Sequence, residues 1–292
     1  MDSLYYVFTW LCHRSCDHCY DERFRPYPEG APEHTNPGPI IAHFPAELGK
    51  VILAGGEVLL DPVREPVLYP ALDLLYARYG SRTRLIVQTT GDLLTPQRIT
   101  ELRAHHVTTI SVSGMDGFHA GMLERRERVI AMLEADGGDY NVFGATPEQW
   151  IGKLWPRGRA ARNGLSRATL EDNFCNQWSG GLNFLGGAGS EVSVEPNGNV
   201  YPCCLKTRLP LGNLHEEPLE QILARRRRDP VYVAIDRGQP QQMGLAHGWS
   251  EEEFRRKSRV IGEDGSVYEN LCIGCDRFHD EVLSSSASEG RT

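Results

Sequence analysis

The sequence predicts an α/β fold built on a parallel sheet, and three observations predict it. Short apolar runs rich in aromatic and β-branched residues recur at residues 4–10, 51–53, 84–90 and 108–113. Stretches of helical periodicity alternate with them, at the interval expected of βαβ units. Glycines follow the runs, at Gly55-Gly56, Gly91 and Gly114, where a backbone can turn sharply or approach a ligand closely.

In chain order, Leu4-Tyr5-Tyr6-Val7-Phe8-Thr9-Trp10 reads as a buried first strand. Residues 21–39 are rich in Pro, Arg and Glu and lack periodicity, the mark of a long connection that could cover a site or simply cross the surface. Val51-Ile52-Leu53 is a second strand, ending in Ala54-Gly55-Gly56-Glu57. A helix is expected over 66–79, from apolar residues at Val67, Leu68, Ala71, Leu72, Leu74 and Leu75. Residues 84–91 give the third strand and its exit loop. Thr95 as N-cap and Pro96 at the first position open a helix to 105. Residues 108–114 are a fourth strand, 118–135 a helix and 140–144 a fifth strand; a sixth near 151–154 is not legible. Alternation on both sides of Pro196-Asn197-Gly198 predicts a hairpin over 192–201, and a helix follows over 218–227. The four arginines Arg225 to Arg228 at that helix's end suit the macrodipole and solvent and are assigned no site.

The chain has 292 residues, ample for one large domain or two modest ones. No apolar run approaches the ~18 residues of a membrane span. The start lacks a basic region, apolar stretch and small-residue cleavage site. A cytoplasmic protein is therefore expected, one in which clustered cysteines bind metal or do catalysis more often than they form disulfides. The formal charge, 31 − 39 = −8, argues against nucleic acid and is compatible with a cationic small-molecule substrate. The tail, residues 284–292, is small, polar and expected to be disordered.

Three of the eight cysteines fall in Cys12-His13-Arg14-Ser15-Cys16-Asp17-His18-Cys19, spaced C-x3-C-x2-C directly after the first strand. Thiolates on so short a loop can converge on one soft metal centre. A closed zinc site wants four ligands; a four-iron cluster held by three leaves one iron open. Zinc, or an unrelated thiol cluster, is the alternative. The loop resembles that of the radical S-adenosylmethionine (SAM) superfamily, and the Gly55-Gly56-Glu57 segment about forty residues on resembles that family's GGE motif. The resemblance implies an incomplete (β/α)6 TIM-like barrel over 1–165. It further implies a [4Fe-4S] cluster on Cys12, Cys16 and Cys19 whose open iron chelates SAM, with Gly55, Gly56 and Glu57 on the methionine amino group. Ser113, at the fourth strand's end, is implied at the ribose, the competing reading being a serine that caps the next turn. His18 is implied near the adenine. Trp155-Pro156-Arg157-Gly158-Arg159-Ala160 resembles the segment that closes the barrel in members with a second cluster domain.

The remaining cysteines are Cys175, Cys203, Cys204, Cys272 and Cys275. Their order around the hairpin resembles the SPASM/twitch extensions of the same superfamily. No cysteine follows Cys275, so the resemblance is to the one-cluster twitch form. It implies an auxiliary [4Fe-4S] cluster on Cys175, Cys203, Cys272 and Cys275, within a small α+β domain over 166–283. A structural zinc site on the same four is the alternative. Cys204 is left over. If the strand continues, its side chain points away from that of Cys203, either into the core or toward substrate as a hydrogen-atom donor.

The function implied is reductive cleavage of SAM to a 5′-deoxyadenosyl radical that abstracts a hydrogen atom from substrate, with a flavodoxin or ferredoxin as electron donor. Four thiolates on the auxiliary cluster leave no open iron, which suits it to accept the electron left on substrate. The twitch form therefore points to dehydrogenation of an aminocyclitol or sugar-like alcohol in a natural-product pathway. Epimerisation with Cys204 as donor and maturation of a ribosomal peptide are the competing chemistries. The early first strand leaves no room for an N-terminal peptide-recognition domain and favours the small molecule. A non-catalytic iron–sulfur electron carrier is the alternative from another class.

Overall fold

The computed structural model describes residues 1–19, 36–113, 121–142, 158–163, 175, 181–182, 184, 189–207, 209–261 and 265–284. Its centre is an eight-stranded sheet. The parallel part is built from β1 (Ser3–Thr9), β2 (Lys50–Gly55), β3 (Arg84–Thr89), β4 (Thr109–Val112), β5 (Asp139–Val142) and β6 (Glu191–Val194). In space they run β5-β4-β3-β2-β1-β6, and β7 (Asn199–Tyr201) and β8 (Gly212–Asn213) extend the sheet in antiparallel fashion. All residues of β4 and β6 are buried, and β1 is nearly so. A parallel sheet covered on both faces requires such continuous apolar runs.

The helices follow the expected rhythm, with shifted ends. Helix α1 (Pro37–Ala42) begins inside the stretch read as a connection, because the Asn36 side chain accepts from Gly38 N and Pro37 sits at the first position. The helix expected from residue 66 starts earlier, at Asp61–Val63, and runs through a π-helical turn, Arg64–Leu68, into α2 (Tyr69–Tyr79). Pro66 and Pro70 lack the N–H an ordinary ladder needs, and the turn between them widens so that Tyr69 N reaches Arg64 O. Helix α3 (Pro96–Ala104) is capped by Thr95, which accepts from Arg98 N at 3.2 Å. Helices α4 (Met122–Asp136) and α5 (Gly158–Arg162) complete the first half. The boundary expected near 165, the sixth strand sought at 151–154 and the connection over 21–35 lie outside the described residues.

The sheet carries straight into the C-terminal segment. β6 pairs with β1, with Leu4 opposite Val192 and Tyr6 opposite Val194. Two contacts at the strand entrances fix that register. Asp2 accepts from Gly189 N at 2.7 Å and Ser190 N at 3.0 Å, and the Ser3 hydroxyl donates to the buried Glu191 carboxylate at 2.7 Å. The predicted hairpin joins β6 to β7 through Pro196-Asn197-Gly198, with Gly198 at φ 80°. Beyond β8 come α6 (Leu219–Arg226), α7 (Pro230–Asp236), α8 (Glu251–Lys257), a hairpin of β9 (Arg259–Ile261) and β10 (Val267–Glu269), and α9 (Leu271–Phe278). The arginine run is less idle than its charge suggests. Arg225 pairs with Glu217, and Arg226 Nε donates to Leu211 O at 3.1 Å. No helix among the described residues is long and apolar enough to cross a membrane.

Candidate functional site

The parallel strands all point their C-terminal ends the same way, and there open α/β sheets gather their sites. β1 loses register between Val7 and Thr9 and turns into the cysteine loop at that end. Cys12, Cys16 and Cys19 are half-buried, and none is in a disulfide. Cys19 N closes a turn on Cys16 O at 3.2 Å. From the far side, α5 clasps the loop: Arg159 N donates to Cys19 O at 2.9 Å, and the Asn163 side chain donates to Asp17 O at 2.9 Å. Gly158-Arg159-Ala160 therefore lies against the cysteine loop. His18 is half-buried within that loop.

The end of β2 is stitched to the same place. Gly56 N donates to Thr9 O at 2.9 Å and Glu57 N to Leu11 O at 2.8 Å. A Cβ at Gly56 would fall 1.9 Å from Leu11 O, and one at Gly55, where φ is 146°, 2.2 Å from Thr9 O. The two glycines are thus required by the approach of β2 to the root of the cysteine loop. Glu57 has no solvent exposure. Its Oε1 accepts from Thr89 Oγ1 at 2.7 Å and Leu59 N at 2.9 Å, and its Oε2 from Thr90 N at 2.9 Å and Thr90 Oγ1 at 2.6 Å. The carboxylate is directed into the protein and joins β2 to β3. Groups left to meet a ligand at this strand end are consequently those of the backbone. Ser113, just past β4, donates its N–H to Thr89 O at 2.9 Å, and its hydroxyl lies 3.4 Å from the same carbonyl.

Three polar residues that the sequence did not single out complete this end. Asp92, just after Gly91 at φ 84°, takes His13 Nε2 at 2.7 Å and Arg14 Nε at 2.8 Å on one oxygen, and Thr90 Oγ1 on the other. Burial alone would push the Asp92 carboxyl up; the hydrogen bonds from Thr90, His13 and Arg14, with the charge of Arg14, outweigh it and hold it at about 2. Gly91-Asp92 reads in sequence as an ordinary turn, and no local signal distinguishes it.

The C-terminal cysteines sit in different surroundings. β7 ends at Tyr201, before Pro202, so Cys203 and Cys204 lie in turns beyond the strand. The alternation that would send Cys204 away from Cys203 therefore does not operate. Cys204, 6% exposed, packs in one small apolar cluster with Leu205 and Cys272, against which Cys203 and Tyr5 lie. Cys272 and Cys275 occupy one face of α9, three residues apart. Cys272 stands in its first turn, where the Asn270 side chain accepts from its N–H at 2.9 Å. Cys275 and the half-buried Cys175 pack on the main core. Among the described residues, no three His, Cys, Asp or Glu side chains close to single-ion distances. None of the eight cysteines is in a disulfide.

Between the two cysteine sets lies a buried ion pair. Lys206, fully buried and in the left-handed region at φ 58°, reaches Glu195 Oε1 at 2.9 Å. The Trp10 indole N–H donates to the other carboxylate oxygen at 2.5 Å. Lys206 N also closes a turn on Cys203 O at 3.0 Å. One contact set thus connects the root of the first cysteine loop to the turn carrying Cys203.

The donor sets fit iron–sulfur clusters: three half-buried thiols on a loop at the strand ends, and four more on a turn, a helix N-terminus and the core, none spent in disulfides.

Comparison with known proteins agrees with that chemistry. The family model of SPASM, an iron-sulfur cluster-binding domain, matches residues 187–242. No curated protein matches the chain significantly. Among solved structures, BtrN in complex with AdoMet (SAM) and 2-DOIA is similar at 17% identity and a TM-score of 0.55, over 86% of this chain and 93% of that one. Native anSMEcpe with bound AdoMet and the Kp18Cys peptide is similar at 14% identity and a TM-score of 0.53, over 95% and 96%. At such identities the likeness is one of fold. Residues 187–242 thus match the model of a SPASM iron–sulfur cluster-binding domain, and the fold of the chain is similar to the folds of BtrN and anSMEcpe.

Proposed function

We propose that the protein is a radical SAM oxidoreductase that dehydrogenates a small sugar-like or aminocyclitol alcohol. The observation that carries the reading is the convergence of the three half-buried thiols of 12–19 with the Gly55-Gly56 strand end, at the C-terminal edge of a parallel sheet. When bound, a reduced four-iron cluster and SAM supply a hydrogen-abstracting 5′-deoxyadenosyl group, with an external carrier such as a flavodoxin or ferredoxin as electron source.

The chain's own residues bind and orient. Cys12, Cys16 and Cys19 would hold the first cluster. The backbone of Gly55 and Gly56 would face the methionine end of SAM, while Glu57 braces β2 against β3 instead of contacting the ligand. Ser113 and His18 are the groups proposed near the ribose and adenine. Cys175, Cys203, Cys272 and Cys275 would hold the auxiliary cluster as an electron acceptor. Cys204, buried against Cys272, is read as a core residue of that site, a place that suits dehydrogenation better than hydrogen return by an epimerase. The two similar structures hold a small molecule in one case and a peptide in the other, so fold likeness does not choose the substrate. The choice of an alcohol rests on the three-plus-four division of the thiols.

The test is anaerobic reconstitution, reduction and assay for 5′-deoxyadenosine. Wild type should produce it, and the variant with Cys12, Cys16 and Cys19 all changed to Ala should not. Retained cleavage in that variant overturns the assignment. Solvent deuterium at the reacting carbon of the product would replace dehydrogenation by epimerisation.

A further inference from the structure

The side chain of Asp92 is only 5% exposed, yet it lies among ionic partners. His13 Nε2 stands 2.7 Å from Oδ2, and Arg14 brings both Nε, at 2.8 Å, and Nη2, at 2.7 Å, to the same oxygen. A guanidinium presenting two donors to a shielded carboxylate is among the stronger and more directional side-chain contacts. His13 and Arg14 are two of the three residues between Cys12 and Cys16. Asp92 therefore grips the loop between two of the three thiols.

The other carboxylate oxygen leads elsewhere. Oδ1 meets the Thr90 hydroxyl, which also lies 2.6 Å from Glu57 Oε2. A hydroxyl has one proton to donate, so Thr90 cannot donate to both carboxylates at once, and displacement of either alters the bond to the other. Glu57 is in turn fixed by Thr89 Oγ1, Leu59 N and Thr90 N. A chain thus runs from the Gly-Gly-Glu strand end through Thr90, whose N–H holds Glu57 while its hydroxyl reaches Asp92, to His13 and Arg14.

We propose that Asp92 is a positioning residue for the N-terminal cluster loop: it sets the Cys12–Cys16 segment and, through Thr90, couples it to the Gly55-Gly56-Glu57 strand end. The cysteine loop and the strand end facing SAM then form one frame, so loosening Asp92 impairs SAM binding without touching SAM. This inference rests on the radical SAM reading for its effect on SAM, but not for its effect on the loop.

Two measurements on Asp92→Asn and Thr90→Val separate these. The first is amide hydrogen exchange of cluster-free protein. Asp92→Asn, which keeps the shape and removes the charge, should speed exchange over 12–17 by roughly tenfold to a hundredfold, the loss of about one charge-assisted hydrogen bond or more. Amides of β1 and β3 should keep their wild-type rates. Thr90→Val, which leaves the grip on Arg14 in place, should have a smaller effect on the loop. The second is SAM cleavage by reconstituted protein, in which both variants should raise the KM for SAM about tenfold or more while kcat changes less. Unchanged exchange over 12–17 overturns the proposal. So does exchange that rises equally across β1 and β3, which marks Asp92 as a general fold contact, and so does a kcat loss with KM unchanged. If wild type itself fails to cleave SAM, the radical SAM reading fails, while the exchange result still decides whether Asp92 holds the loop.

Discussion

Around Cys12, Cys16 and Cys19 the chain is held by hydrogen bonds and charge: Asp92 on His13 and Arg14, Arg159 N on Cys19 O, and Glu57 N on Leu11 O. The thiols themselves stay half-buried. Around Cys203, Cys272 and Cys275 it is held by packing, with Cys204, Leu205, Tyr5 and the main core pressed against them. On the proposed function, the difference follows from what each place would do. A loop that admits a ligand cannot be fixed by apolar burial, which would close it, so directional polar contacts hold it from behind. On the proposed function the second set only receives electrons and can be closed over, as the burial of Cys272 and Cys275 allows. The Glu195–Lys206 pair, tied to Trp10, is the charged exception within the packed region.

That exception offers the largest break in the comparison. Removing one partner of a buried pair leaves the other charge uncompensated, so Lys206→Met should cost about 3–5 kcal/mol of stability in cluster-free protein. A urea titration with an unchanged slope reads this directly. A loss under about 1 kcal/mol would mean the pair contributes little beyond an apolar contact.

Gly56→Ala comes next. Its Cβ would meet Leu11 O at 1.9 Å, and backbone cannot rotate aside, so about 1–3 kcal/mol should be lost. The damage should fall on the first cysteine loop and spare the second set. Equal loss of protection around Cys272 would erase the distinction between the two regions.

Acid should also separate them. The Asp92 carboxyl, held at about 2 against an ordinary 3.8, contributes stability that is full above about pH 4. That contribution fades as pH falls toward 2, and it is worth no more than about 2 kcal/mol. Titrated from pH 5 to 2, cluster-free wild type should lose exchange protection in the 12–17 loop and approach the level of Asp92→Asn, in which that protection is already low at pH 5 and changes less with pH. Identical profiles would contradict the network described. The smallest effect belongs to Cys204→Ala, about 1 kcal/mol for a small buried side chain, with auxiliary iron retained. Loss of that iron would make Cys204 a ligand.

How much of this was legible in the sequence depended on whether a signal was local. β1 to β5, the Thr95 cap and the Pro196-Asn197-Gly198 hairpin announce themselves through patterning and turn chemistry that any window of a few residues contains. The pairing of β6 with β1 does not, because it joins residues 188 apart through the Asp2 and Ser3 contacts. Cysteine spacing marked both thiol sets. The direction of the Glu57 carboxylate was not legible, since it depends on Thr89 and Thr90 of another strand. Cys204 is buried, as one of its two sequence readings has it, but not by strand alternation, which ends at Tyr201 with Pro202 and the following turns. Lys206 and Asp92 carry no motif at all; their roles come from partners distant in sequence.

If this chain carries the two cluster sites proposed for it, iron stoichiometry shows them most directly. Anaerobically reconstituted wild type should bind about eight irons per chain, four for each thiolate set. The variant with Cys12, Cys16 and Cys19 changed to Ala should keep about half of them, on Cys175, Cys203, Cys272 and Cys275. Full iron in that variant, or a wild-type protein holding one zinc and a single cluster, would contradict the account.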